Sequence, residues 1–406
     1  MRGATAPGGP LASLRHRDFR VLLFSTMALQ TGSWVQMVGQ GWLVKHDLHG
    51  SATNLATVAL LRGASLLLIS PFGGYLAGRF ERRKQLVAYT GVSASVAALL
   101  AVLVSTGNIE IWMVYCTATL AGAVDAVAAP IRTMLVYDSV GGDDLTNAVA
   151  LNSLAGNTMR VVGPSIGGAL IASVGTKGTF ELQAVCLFGA MVLTWFLRPS
   201  QPELSERMGM FRSIGEGVAY VWRDRRMLTI VLMAMVPSLL VYPYVTFLPV
   251  FATDVMHSGS AGYGYLASAV GLGSLLGGVM VAFTSGQGRM GPRMMWACLF
   301  YCLFVGFFAL MHHLWMGLAM LTVAGIFHSI YSAFNASLMQ LKAATAYRSR
   351  VLSLQTMTSG ITPFAGLLMG LMIDRWGAPH VVAMWMAVAA AITLTITVAS
   401  TEMRRV

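Results

Sequence analysis

About a dozen long apolar stretches dominate this chain, and the gaps between them alternate between basic and nearly uncharged. Most of the 27 Lys and Arg residues sit in every second gap. The basic gaps contain Arg2, Arg15, Arg17 and Arg20; Arg79, Arg82, Arg83 and Lys84; Arg198 through Arg226; Arg289 and Arg293; Lys342, Arg348 and Arg350; and Arg404 with Arg405. The intervening gaps hold only Lys45, Lys177 and Arg375. An apolar segment of roughly 20 residues spans a bilayer as a helix, because a helix satisfies every backbone polar group within itself. Lys and Arg hold loops on the cytoplasmic side, so the alternation predicts that both termini and the central basic stretch are cytoplasmic.

A chain that is 56% hydrophobic and 11% charged is far from a soluble domain, where charge alone is about 25%. Its partner is membrane lipid, and a multi-pass protein of the cell (inner) membrane is expected. The net charge of +11 would suggest nucleic acid in a soluble protein. Here it serves topology, and no nucleic-acid partner is expected. Cys116, Cys186, Cys298 and Cys302 all fall within apolar stretches, so they imply no disulfide framework. Cys298 and Cys302 share a helix face but have no His or carboxylate nearby to complete a tetrahedral site, and they read as small buried hydrophobes. No metal and no cofactor are expected.

Residues 1–18 read as an N-terminal cytoplasmic tail; Met1 to Pro10, rich in Gly and Pro, does not form a signal peptide. Residues 19–198 form a first six-helix bundle and residues 227–400 a second. Between them, 199–226 is a cytoplasmic linker in which Phe211, Ile214, Val218, Val221 and Trp222 recur at the spacing of an amphipathic surface helix. Residues 401–406 form a cytoplasmic tail. Gly163, Pro164, Gly167 and Gly178 recur at a constant offset as Thr362, Pro363, Gly366 and Gly377, which suggests two related halves. The predicted fold is an all-α membrane protein with twelve transmembrane helices in two pseudo-symmetric six-helix bundles.

Local motifs add a family resemblance. Gly74, Gly78, Arg79, Arg82 and Arg83, after the second stretch, resemble the loop between helices 2 and 3 of the major facilitator superfamily. Where that loop has an Asp thought to latch the two halves, this chain has Gly78. Arg160 through Gly168 is similar to the Gly-Pro-x-x-Gly-Gly element of the superfamily's exporters, here Gly163, Pro164, Gly167 and Gly168. Gly156, Gly163 and Gly167 leave a stripe free of side chains for close helix approach, and Pro164 frees a carbonyl. Further pieces, among them Asp18-Phe19-Arg20, Gly32 through Gln36, Gly41 through Val44, Leu248-Pro249-Val250, Gly262-Tyr263-Gly264 and Gly377-Ala378-Pro379, resemble one branch, the enterobactin-exporter-like transmembrane secretion effectors. That branch often has an acidic residue in helix 1 where this chain has Ser33.

The resemblance implies that helices 1, 4, 7 and 10 line a central cavity. Helical periodicity aligns Gln30, Ser33, Trp34, Met37 and Gln40 on helix 1; Met235, Ser238, Tyr242, Thr246 and Pro249 on helix 7; and His328, Tyr331, Ser332, Asn335 and Met339 on helix 10. Uncharged polar groups, aromatics and Met suit a bulky, amphiphilic, mostly apolar ligand, or else they bond helix to helix. Pro237, Pro243 and Pro249 make helix 7 bendable. Ionisable groups at membrane depth are costly unless paired or hydrated. Asp125, Arg132 and Arg160 are therefore read either as a proton-coupling site with Asp125 as the acid, or as a permanent ion pair of Asp125 with Arg160 or Arg132. Asp138, Asp143 and Asp144 read as a solvated face and the cap of helix 5.

The implied activity is export of a small, largely apolar or amphiphilic molecule, drug-like or siderophore-like, by alternating access, with protons as the coupling ion. An importer or uniporter on the same fold is the alternative. An integral-membrane enzyme would gather His, Asp, Glu or Cys into one constellation, and these residues are scattered. No Gly-x-x-x-x-Gly-Lys-Ser/Thr loop for ATP occurs. A monomer is the superfamily default.

Overall fold

The computed structural model describes residues 11–77, 79–141, 144–198, 221–222, 224–284, 289–342 and 348–400. These residues form an antiparallel array of long helices: α1 (Arg17–Trp42), α2 (Ala52–Ala77), α3 (Arg82–Ser105), α4 (Ile111–Val140), α5 (Leu145–Val174), α6 (Thr176–Trp195), α7 (Arg226–Val255, interrupted), α8 (Gly259–Thr284), α9 (Met290–Ala309), α10 (Leu314–Lys342), α11 (Arg348–Trp376) and α12 (Ala378–Ala399). Among the described residues, 9 helices are long and apolar enough to cross a membrane. One end of the array carries the Arg79–Lys84 turn and is called the basic end. The other carries Lys45. Trp112, Trp315 and Trp376 stand exposed near the Lys45 end and Trp195, Trp222 and Trp296 near the basic end, as aromatic rings do at the two water interfaces of a bilayer. Leu68, Phe188 and Phe283 are exposed large apolar side chains, as lipid contact allows.

The tight reversals rest on glycine. Gly175 between α5 and α6 has φ +83° and Gly377 between α11 and α12 has φ +79°, a region that costs most residues about 1 kcal/mol or more. Sequence symmetry pairs Gly377 with Gly178, but Gly178 lies inside α6 and the corresponding turn residue is Gly175. Three prolines break α7. Regular helix stops at Val236, and the chain continues through a wide π turn (Pro237–Val241), a tight 3-10 segment (Tyr242–Phe247), a single α turn (Leu248–Val250) and a second π turn (Phe251–Val255). Each proline lacks an N–H and clashes with the preceding turn, so the helix rewinds around it.

Helices α1 to α6 pack chiefly on one another, and so do α7 to α12; the main contacts between the groups are α2 with α11 and α5 with α8. Side-chain-free positions allow these approaches. A Cβ on Gly168 of α5 would lie 2.9 Å from the Gly264 Cα of α8, and one on Gly370 of α11 would lie 2.9 Å from the Ala56 Cβ of α2. Both points are on the Lys45 side. Farther toward the basic end, Gly273 and Gly277 of α8 pack instead against α10 of their own group.

The core follows the same division. At the Lys45 end a single apolar cluster draws on both groups, with Trp42, Leu43, Leu55 and Ala56 beside Phe247, Phe251, Met369 and Ile373. At the basic end there are two clusters. Phe19, Leu86, Ile131 and Leu135 belong to the first group, and Met227, Ile230, Met294 and Phe334 to the second. The linker predicted as a surface helix lies outside the described residues except for Val221, which is buried, Trp222, which is exposed, and Asp224 onward.

The loop motif folds onto its own group. Arg82 is buried and its Nη1 donates to both carboxylate oxygens of Asp138 at 2.7 and 2.9 Å, fixing the start of α3 to the end of α4. Glu81 accepts from Lys84 at 2.9 Å and from Arg83 at 3.1 Å. Its carboxyl is held below the usual glutamate range, first by the Lys84 hydrogen bond. Arg79 stacks over Phe80 at 5.9 Å. Gly74 lies in α2, and Gly78 is outside the described residues. Asp144 occupies the N-cap position of α5 without capping it, because its carboxylate is bonded to His16 at 2.9 Å; Asp143 is outside the described residues.

Candidate functional site

A cavity lies beside the unwound part of α7. Its volume is about 430 Å³, within the range of small-molecule sites. Ser238, Tyr242 and Thr246 of α7 line it with His328, Tyr331 and Ser332 of α10, Tyr301 of α9, Thr362, Pro363 and Gly366 of α11, and Ala59 of α2. The His328 ring sits 5.0 Å from that of Tyr301 and 6.3 Å from that of Tyr242. Among the described residues the wall is thus rich in hydroxyls and aromatic rings, and none of them is acidic or permanently cationic.

The proline that widens α7 also explains one cavity contact. Pro237 cannot donate to the carbonyl of Met233, four residues back. The Tyr331 hydroxyl donates to that carbonyl at 2.9 Å, so α10 completes what α7 lacks. Asn335, one turn on, donates to the Ile230 carbonyl at 3.0 Å and is fully enclosed. It joins helix to helix and does not line the cavity. Met339 is likewise packed in the second group's basic-end cluster. Met235 is half-buried and Pro249 is buried, and neither lines the cavity.

Helix α1 does not reach this space. Ser33 and Gln36 face a smaller pocket inside the first group, of about 40 Å³, shared with Gln183. Gln30 lies against Gly156 of α5, Met37 packs on the Lys45-end cluster, and Gln40 is buried with its amide nitrogen unpartnered. Trp34 packs on Gly163, where an added Cβ would stand 2.5 Å from the Trp34 Cβ, and Gly167 meets Val38 in the same way. The exporter-like element therefore has two faces, Gly163 and Gly167 toward α1 and Gly168 toward α8.

The intramembrane charges are arranged differently from the sequence expectation. Asp125 accepts from Arg62 of α2 at 2.8 Å, not from Arg160 or Arg132. The reason is the close α2–α4 crossing, where the Arg62 carbonyl lies directly against Gly122 and brings its side chain alongside the next turn of α4. Arg132 borders the same small pocket, with its Nε buried and unpartnered. Arg160 lies elsewhere, its guanidinium 5.6 Å from the centre of the Trp34 ring. Sequence periodicity missed Arg62 as the partner, along with Tyr301, Thr362 and Gly366 in the cavity wall. For Thr362 and Gly366 a signal was present, since they flank the proline repeated from helix 5.

The buried cysteines fit their reading as small hydrophobes: Cys298 and Cys302 are enclosed, with the Cys298 sulfur 3.7 Å from the Thr393 hydroxyl. Among the described residues no group of three or more His, Cys, Asp or Glu side chains is placed to hold a metal.

Comparison with known proteins agrees with this architecture. The solved structure of a POT family transporter in complex with a thioalcohol-conjugated peptide superposes with a TM-score of 0.77 at 12% identity, covering 95% of this chain and 96% of that one. The staphyloferrin A transporter of Staphylococcus aureus (strain NCTC 8325 / PS 47) is 26% identical over 355 residues, 87% of this chain and 89% of the relative. The multidrug efflux pump Tap of Mycolicibacterium fortuitum is 24% identical over 370 residues, 88% of this chain and 89% of the relative. The family described as transmembrane secretion effector matches residues 8–405. The chain belongs to the transmembrane secretion effector family and is a multi-pass membrane transporter, not an enzyme.

Proposed function

We propose that this transporter exports a small amphiphilic molecule from the cytoplasm by alternating access, coupled to inward proton flow. Twelve spans form two six-helix bundles, 19–198 and 227–400, joined by the cytoplasmic linker 199–226, with both termini in the cytoplasm. The basic end then faces the cytoplasm. The observation that carries the reading is the division of the apolar core, which is shared by both groups at the Lys45 end and split between them at the basic end. A cavity of about 430 Å³ lies in the second group and is bordered by Ala59 of the first. Such an arrangement exposes a site to one side, and rocking of the groups about the α2–α11 and α5–α8 seams would expose it to the other.

Ser238, Tyr242, Thr246, Tyr301, His328, Ser332 and Thr362 hold the substrate by a few hydrogen bonds and ring contacts. Asp125 carries the coupling proton, and Arg62 holds the carboxylate while it is ionised. The efflux pump among the relatives supports the outward direction, as does the two-faced glycine element of α5.

The test uses everted membrane vesicles containing the protein and a small amphiphilic fluorophore. Export predicts ATP-independent uptake that a protonophore abolishes and that Ser238→Trp, which fills the cavity, removes. Uptake confined to right-side-out vesicles would establish an importer, and insensitivity to the protonophore would end the coupling assignment.

A further inference from the structure

Histidine is distributed unevenly between the two ends of the protein. Six of the eight, His46, His49, His257, His312, His313 and His380, lie at the Lys45 end. The other two are His16 at the basic end and His328 in the cavity wall. Three of the six meet at the seam between the groups. A second cavity, of about 640 Å³, lies there, and its lining takes His257, His312 and His380 from the second group together with Asp254 and Asp374. From the first group it takes only Lys45 and Ala52 among the described residues. The contacts across this seam share one polarity. Lys45 Nζ lies 2.8 Å from Asp254 Oδ2, and Asp374 accepts from the amides of Ala52 at 2.8 Å and Thr53 at 3.0 Å, at the positive end of the α2 dipole. The first group thus presents positive charge to two carboxylates of the second. Outside the lining, the charged and titratable groups of this end are His46, Asp47, His49, Glu110, Lys177 and Glu181 on the first group and His313 and Arg375 on the second. His46 is bonded to Asp47 at 2.9 Å and stacks on Trp42 at 4.7 Å.

Resting on the transport reading given above, in which the Lys45 end faces outward, we propose that His257, His312 and His380 form a pH-sensitive gate, so that acid outside the cell opens this end. Histidine changes charge between about pH 5 and 8. The sign follows from the lining. With the three rings neutral, the second group's wall carries the two negative charges of Asp254 and Asp374 and attracts Lys45 and the start of α2. With all three protonated, the same wall carries a net positive charge and faces Lys45 and the α2 dipole with like sign. The protonated rings also compete with Lys45 and the α2 amides for the two carboxylates. His257 is already oriented for this role: its Nδ1 donates to the Thr253 carbonyl at 2.8 Å, so Nε2 is the nitrogen that takes up the proton. The basic end has only His16 among the described residues, engaged by Asp144 at 2.9 Å. Sensitivity to acid therefore sits on one side of the transporter, the side from which a driving proton enters.

The experiment uses the full-length protein in lipid nanodiscs, without native cysteines and with spin labels at the exposed positions Thr106 and Leu310 of the Lys45 end. Pulsed electron paramagnetic resonance reads the open and closed populations across a pH series. An exposed charge interaction shifts an equilibrium by about two-fold. The three histidines together are expected to raise the ratio of open to closed protein by about eight-fold between about pH 7.5 and about pH 5.5. The combined variant His257→Gln, His312→Gln and His380→Gln is expected to hold, at the acid end of the series, the ratio the histidine-bearing protein has at the alkaline end. No change of ratio with pH when the histidines are present, or closure in acid, overturns the proposal without any variant needing to fold. An undiminished response in the triple variant overturns it too, since another group would then carry the proton. Labels at the exposed positions Phe196 and Phe283 of the basic end test the transport reading separately. Shortening there as the Lys45 end widens upholds both the gate and the rocking of the groups, whereas constancy there upholds the gate and refutes the rocking.

Discussion

The carboxylate of Asp374 should control how often the Lys45 end opens. Asp374 is in the last turn of α11, and it accepts hydrogen bonds from the backbone N–H groups of Ala52 at 2.8 Å and Thr53 at 3.0 Å and from the Thr53 hydroxyl at 2.5 Å. Those amides are orphan donors at the start of α2, so a residue of the second group caps a helix of the first. An N-cap contributes about 1 kcal/mol and an acidic side chain at the positive end of a helix dipole about 0.3–1 kcal/mol. The side chain is solvent-exposed, which places the sum near the lower end, about 1–1.5 kcal/mol. Since 1.4 kcal/mol is a factor of about ten, Asp374→Ala should raise the ratio of open to closed protein at this end by roughly five- to ten-fold. Asp374→Asn keeps an acceptor but loses the charge, and it should fall between. The neighbouring Lys45–Asp254 pair, 2.8 Å long and partly exposed, holds the same end shut more weakly. Pulsed electron paramagnetic resonance between spin labels at the exposed positions Thr106 and His312, in a background without native cysteines, reads the populations directly. An unchanged distance distribution in Asp374→Ala would refute the assignment of this contact as a latch.

Four further substitutions probe other parts of the mechanism. Asp125→Asn should leave the protein folded and binding its ligand while abolishing protonophore-sensitive export; undiminished proton-driven export would remove Asp125 from the coupling role. Gly168→Val forces atoms into a space bounded by the Gly264 Cα and the Ser260 carbonyl, each 2.9 Å from an added Cβ; overpacking costs about 1–3 kcal/mol and should widen the Thr106–His312 distances. Tyr331→Phe leaves the Met233 carbonyl unsatisfied and should cost about 0.6–2 kcal/mol in detergent unfolding. Pro237→Ala restores the missing N–H, so the Tyr331→Phe cost should shrink in that background, as a double-mutant cycle would measure.

Periodicities that follow from the backbone were legible in the sequence. Long apolar stretches mark the helices because bilayer thickness and backbone hydrogen bonding leave no other solution. The prolines of α7 announced its irregularity, and helical phase placed Ser238, Tyr242, Thr246, His328 and Tyr331 together on the cavity wall. Depth along a helix does not tell which neighbour a side chain meets. Asp125 and Arg160 lie at similar depth, yet the α2–α4 crossing at Gly122 brings Arg62 to the acid first. Phase alone also failed for α1, whose polar face turns into its own bundle because Gly32 and Gly39 draw it against α6. Asn335 looked like a cavity residue for the same reason, since a buried helix-to-helix amide and a ligand-facing amide share one periodicity.

The contacts between the two groups differ in kind along the depth of the protein. From mid-depth toward the Lys45 side the seams consist of glycine, proline and small side chains, with Gly63 against Pro363, Gly168 against Gly264, and the Ser165 and Ser268 hydroxyls 2.8 Å apart. Such surfaces gain dispersion energy when close but lose little that is directional when they tilt, so they suit a pivot. At the Lys45 end the contacts become specific and charged, with Asp374 on α2 and Lys45 on Asp254. Each of these is worth about 1.5 kcal/mol or less, a scale that thermal motion or a ligand can overcome. Under the proposed alternating access, a pivot without strong bonds and a latch of several weak ones would make the closed state favoured but not locked. If the latch were instead one buried ion pair, breaking it would leave uncompensated charges and cost about 3–5 kcal/mol. The exposure of Asp374 and Asp254 argues that water receives both carboxylates as the end opens.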